Sequence, residues 1–229
     1  MRSKVILLTA VAAAIATVPA HSDETWTVAK PSTFSGTIPC ADCEGIRQTL
    51  DLTPDGAFIS RLEYIGRDRR SVSVGRWQVN GGRLVLSGGR EATQYFRIAD
   101  ADTLRKLDGD GREIEATMPY EIRREPVYRL IGDPLRLTAL FRAAADAGRA
   151  VLCLTGQDVS IAPEGESGAL LAEYAKARTA PGSPVLVTFV GRFVERPRAD
   201  GAGTELGMVV DRFDQASPGE TCSPPAPQN

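Results

Sequence analysis

Hydrophobic and polar positions change rhythm twice along the chain. Residues 5–18 form an apolar run behind Arg2 and Lys4, with no polar face, and Pro19 and Ala20 close it with small residues suited to cleavage. That pattern predicts a secretory signal peptide over 1–20 rather than a membrane-spanning helix. Cleavage after Ala20 makes His21 the first residue of the mature chain, and no cysteine stands near that point to accept a lipid.

From residue 33 the rhythm becomes that of short strands at 33–38, 46–53, 57–65, 71–79, 83–86, 93–98, 103–107 and 114–122. Turn chemistry separates them. Pro54-Asp55-Gly56 sets φ with proline and offers glycine for the left-handed position, and Asn80-Gly81-Gly82 reads as a hairpin turn. Asp108-Gly109-Asp110-Gly111 resembles the start of a calcium loop but lacks the bidentate glutamate at the twelfth position and has strand flanks, so it reads as a turn. No stretch here has helical periodicity. Strands at this spacing predict an antiparallel meander closing into a small barrel over 30–125.

The texture then shifts. An extended run at 127–141, strands at 151–154 and 159–162, a helix at 166–178 and strands at 185–194 and 206–213 fill a second domain, 127–222. Leu170, Leu171, Tyr174 and Ala175 are placed on one face of the helix, and Pro181-Gly182 stops it. A helix between the third and fourth of five strands predicts an OB-type barrel. The fold class is therefore all-β, mainly antiparallel. The proline-bearing tail, 223–229, is predicted to be disordered.

Composition narrows the function. A formal charge of −2 gives no reason to expect nucleic acid or an anionic membrane surface as partner. With one histidine in the chain, Ser-His-Asp hydrolysis and a His-rich zinc site are poor fits. Four cysteines in an oxidising compartment permit three pairings; proximity favours Cys40 with Cys43, which leaves Cys153 with Cys222.

Cys40 and Cys43 in FSGTIPCADCEGI are the candidate chemistry. Thiols at this spacing close a small disulfide, hold a soft metal or form a redox dithiol. A thioredoxin-type site places its first cysteine at a helix N-terminus, whereas here Gly45 is followed by a strand-like run, so an oxidoreductase is the least favoured reading. Asp42 and Glu44 raise the thiol pKa values if they lie close, and otherwise are solvated loop charges. His21 adds a separate candidate, because an N-terminal histidine offers its α-amine and imidazole to Cu(II).

FSGTIPCADCEGI, followed by LDLTPDGAF, YIGRD, VGRWQV and LRKLDGDGREI, resembles the N-terminal domain of the NlpE family of copper-resistance and envelope-stress lipoproteins. LCLTG, LLAEYAKAR, PVLVTFVGRFVERP and the late Cys222 resemble its second, OB-fold domain. The resemblance implies a lipocalin-like first barrel, and makes Cys40 and Cys43 the family's CxxC and Cys153 and Cys222 its structural disulfide. It also implies a part in sensing copper, surface contact or faulty oxidative folding, with signalling to a Cpx-like sensor kinase. The expected protein is a periplasmic, non-enzymatic sensor or copper-linked binding protein, with no required cofactor, copper as the candidate ligand and no membrane anchor. The alternatives are a small-ligand carrier using the barrel interior and a thiol-disulfide redox protein.

Overall fold

A computed structural model describes residues 26–88, 92–144, 147–198, 201 and 203–223. Residues 1–20, expected to be a signal peptide, His21 and the tail from residue 224 lie outside these described residues.

Eight strands form the first barrel: β1 (Ser32–Ile38), β2 (Gly45–Leu52), β3 (Ala57–Ile65), β4 (Arg69–Asn80), β5 (Arg83–Ser87), β6 (Gln94–Ile98), β7 (Thr103–Lys106) and β8 (Glu121–Arg124). Each pairs antiparallel with the next, and β8 closes on β1 through Phe34↔Arg124 and Ser35↔Arg123. Alternation sets the inside. Phe34, Leu50, Leu52, Phe58, Leu84, Leu86, Phe96, Leu104 and Ile122 point inward and are buried together.

The second barrel contains β9 (Leu135–Ala144), β10 (Ala147–Leu152), β11 (Asp158–Gly165), β12 (Val185–Pro197) and β13 (Thr204–Ser217), in the order β10-β11-β13-β12-β9, with α1 (Ser167–Ala177) between β11 and β12. The β11–β13 pairing is parallel and all others are antiparallel. Helix α1 buries Leu170 and Tyr174, and the Tyr174 ring meets Phe141 edge-on at 5.1 Å. Gly165 makes the turn into the helix. Its φ is 64°, and a Cβ there would stand 2.2 Å from the Val210 carbonyl oxygen.

Several expected boundaries move. The eighth strand begins at Glu121 rather than at 114, because Gly109, Gly111 and Pro119 break the preceding segment and only the isolated bridge Leu107↔Glu113 forms there. The run expected from 127 becomes a strand only at Leu135, since Pro126 and Pro134 lack ladder donors and residues 125–134 link the barrels instead. Strand β10 ends at Leu152, followed by a turn through Gly156, and Ala175 faces solvent rather than the core.

The link is anchored rather than loose. Asp51, at an outward position of β2, accepts the Thr33 hydroxyl at 2.6 Å and the Ile131 backbone N–H at 2.7 Å. Asp133 accepts from Arg61 at 3.1 Å and Arg70 at 2.7 Å. Further along, Gln157 donates to Asp55 at 2.8 Å and Arg76 to the Thr155 carbonyl at 2.5 Å. Ile59 and Val74, outward on β3 and β4, join the hydrophobic core of the second barrel.

Candidate functional site at the barrel rim

In a meander, alternate connections fall at the same end. The β1–β2, β3–β4, β5–β6 and β7–β8 connections therefore share one rim, opposite the end from which the link leaves β8. The β1–β2 connection carries Cys40 and Cys43, whose sulfurs are bonded at 2.06 Å with Cα atoms 5.3 Å apart. Pro39 ends β1 ladder pairing, and Gly45 opens β2, paired with Ile65.

Asp42 is exposed at the loop tip. One of its carboxylate oxygens lies 3.4 Å from the Cys40 sulfur, and the other meets Arg67 of the β3–β4 turn at 3.2 Å. Arg67 also donates to the Asp42 carbonyl. Gly66 in that turn, at φ 77°, leaves room for the Glu44 side chain, whose Oε1 would lie 3.0 Å from a Cβ. One potential ligand atom from each of Cys40, Asp42 and Cys43 falls within 4.8 Å of the others. The loop can therefore hold a closed disulfide, or, once reduced, gather two thiolates and a carboxylate at one point. Neither cysteine caps a helix, the arrangement that activates thioredoxin-type thiols.

Cys153 and Cys222 are bonded at 2.04 Å, tying the segment after β13 to the end of β10 across a sequence separation of 69. They stand in the second barrel, away from the rim loop. His21, the other copper candidate expected from the sequence, lies outside the described residues.

Two further groups were not singled out from sequence. Asp51 is wholly buried, and desolvation pushes its pKa up to about 6 against the opposing hydrogen bonds from Thr33 and Ile131 and the charge of Arg61. Burial likewise raises the Tyr128 phenol, with the Asp51 and Glu195 charges adding to the effect. In β2 an acid between Leu50 and Leu52 reads as a solvent-facing position, and only the covering link makes it internal. The second group is a set of polar side chains on inward positions of the first barrel, Gln48, Ser60, Gln94 and Lys106. Its signal is a break in the apolar face of alternating strands.

A CxxC loop closed by a disulfide at the rim of an eight-stranded barrel, joined to a disulfide-stapled OB-type barrel, defines a two-domain all-β protein with its distinctive chemistry at one exposed loop. The NlpE N-terminal domain profile matches residues 34–117, and the NlpE C-terminal OB domain profile matches residues 131–223. The chain belongs to the NlpE family. It is 32% identical over 197 residues to lipoprotein NlpE of Escherichia coli K12, covering 84% of this chain and 81% of that protein. Among solved structures, that of the Cpx pathway activator NlpE from E. coli is 27% identical, covers 84% of this chain and 98% of its own, and superposes at a TM-score of 0.39. A putative lipoprotein from Shewanella oneidensis is 27% identical over 45% of this chain and 92% of its own, at a TM-score of 0.37.

Proposed function

We propose that this protein is a non-enzymatic envelope-stress sensor whose input is the state of the Cys40–Cys43 loop, with copper as the metal to which that loop responds. The observation that carries the reading is the gathering of Cys40, Asp42 and Cys43 within 4.8 Å on an exposed rim. Closed, the disulfide offers no thiolate. Two electrons and two protons from a periplasmic dithiol open it, and Cu(I) then takes both sulfurs as thiolates with release of two protons. The loop would differ between these states in charge and in its contact with Arg67, giving a partner two surfaces to distinguish.

The E. coli relative is described as a Cpx pathway activator. By that kinship the partner is a Cpx-like sensor kinase. The place of action is the periplasm, reached through the signal segment 1–20, and the mature chain begins unlipidated at His21. No described helix is long and apolar enough to cross a membrane. His21 forms a second copper position of different chemistry, taking Cu(II) through its α-amine and imidazole.

Thiol counting on protein recovered from the periplasm tests the main reading. Reduced protein is expected to bind one Cu(I) and lose two titratable thiols, and Cys40→Ser with Cys43→Ser is expected to lose both the metal and the stress output. Wild-type output from that double variant overturns the proposal. Intact mass showing an acylated N-terminus overturns the unlipidated form. Equal Cu(II) affinity with one extra residue ahead of His21 removes the terminal site.

A further inference from the structure

On the outer face of the first barrel, β5, β6 and β7 carry three arginines in one row. Leu84, Phe96 and Leu104 point inward, so their sequence neighbours Arg83, Arg97 and Arg105 point outward, and the ladder sets Arg83 opposite Arg97 and Arg97 opposite Arg105. Like charges directly opposite one another destabilise a sheet, so the row costs the barrel stability unless anions lie over it. Glu121 of β8 continues the row beside Arg105, at 3.6 Å, and divides its carboxylate with Arg123.

One anion is supplied from within the chain. Glu113, on the segment between β7 and β8, reaches back with one carboxylate oxygen 2.5 Å from Arg97 Nε and the other 3.1 Å from Arg105 Nε. The hydrogen bonds and charge of the two arginines, Arg97 first, hold its carboxyl below the usual range. Its side chain is nonetheless half exposed, and an isolated bridge to Leu107, not a strand, holds its backbone. Arg83, at the end of the row, is exposed and has no carboxylate partner among the described residues.

We propose that this row is a docking site for an acidic segment of a partner protein, with Glu113 as the built-in occupant that the partner displaces. The Glu113 contacts show that a carboxylate fits between β6 and β7 and takes both guanidiniums through charge-assisted hydrogen bonds. From that position Arg83 is one and a half strand spacings away, about 7 Å, and alternate side chains of an extended segment also stand about 7 Å apart. An extended segment with carboxylates at alternate positions therefore sets one in the place of Glu113 and the other on Arg83. The turn at 108–112 rises beside the row, where Gly111 lies against Tyr95 and Arg83. A flat lipid headgroup layer meets that turn first, whereas a single extended segment lies along the exposed Arg83 and Arg97. The site is independent of the copper reading, because none of its residues belongs to the cysteine loop.

Fluorescence anisotropy of a labelled peptide with glutamates at alternate positions, titrated with the purified protein at low ionic strength, tests this. Saturable binding is expected, at least ten-fold tighter than for the same peptide with glutamines in their place. Arg83→Ala, an exposed substitution that leaves the core untouched, is expected to weaken it at least five-fold. Glu113→Gln is expected to tighten binding at least three-fold, whereas Glu164→Gln, the same change of charge in the second barrel, is expected to leave it unchanged. Absence of saturable binding, equal binding of the glutamine peptide, undiminished binding by Arg83→Ala, or equal effects of Glu113→Gln and Glu164→Gln overturns the proposal. So does Arg83-dependent binding to phosphatidylglycerol vesicles in place of the peptide, which assigns the row to a membrane surface, or an Arg83-dependent dimer, which assigns it to a second copy of the chain.

Discussion

The Asp51 carboxylate and the Ile131 backbone N–H stand 2.7 Å apart, joining the outer face of the first barrel to the segment that leads into the second. The contact closes over a carboxyl that no water reaches, so the charged form of Asp51 is disfavoured in the folded protein relative to the unfolded chain.

That shift makes stability depend on pH in a defined direction. The folded pKa of about 6 exceeds the ordinary 3.8, so the stabilisation is fully present below the unfolded value and is lost as pH rises through the folded one. The full span is about 3 kcal/mol, of which about 1 kcal/mol separates pH 5 from pH 7.5. Denaturant melts should show greater stability at pH 5 for the wild type. Asp51→Asn should flatten that difference; an unchanged profile in the variant would assign the effect elsewhere.

Asp133 serves two arginines of the first barrel from a position inside the link, and is itself mostly buried, with 13% of its side chain exposed. Asp133→Ala is expected to lower stability by about 1–2 kcal/mol, because it leaves the half-buried Arg61 without its carboxylate. Faster proteolysis within 125–134, with the barrels themselves intact, is the expected signature. Cleavage kinetics identical to wild type would show that the link is held without this pair.

The two disulfides should differ in what their removal does. In the chain-entropy account the Cys153–Cys222 bridge contributes roughly 4 kcal/mol and the short Cys40–Cys43 bridge roughly 2 kcal/mol. Thermal melts of the paired Cys→Ala variants should therefore show the greater fall for the second-barrel bridge. Equal falls would mean that the rim loop carries more structure than its loop length implies.

Gly165→Ala is predicted to unfold the second barrel preferentially. A methyl group would meet the Val210 carbonyl at 2.2 Å in a left-handed backbone, at the point where β11 leaves its parallel pairing and α1 begins. A loss of more than about 2 kcal/mol is expected from the clash and strain together. Tryptophan fluorescence reports the first barrel through Trp26 and Trp77, so an early far-UV transition with a later fluorescence transition is the expected pattern. A wild-type melt would show that the backbone can yield there.

The chain by itself determined the all-β class, the eight-strand meander, the OB-type order with its single helix, and the cysteine loop as the chemical focus. These rest on local signals: alternation at period two, Pro, Asn and Gly turns, a helical stripe ending before Pro181, and two cysteines close in sequence. The tertiary structure alone decided which outward positions are covered. Ile59, Val74 and Asp51 read as the outer face of a barrel, and they are internal because a second barrel and its link lie across them. The same holds inside: Gln48 and Gln94 are far apart in sequence, and only barrel closure brings their amides together. Strand period records which face a residue takes, while what lies against that face is fixed by contacts between segments remote in the chain.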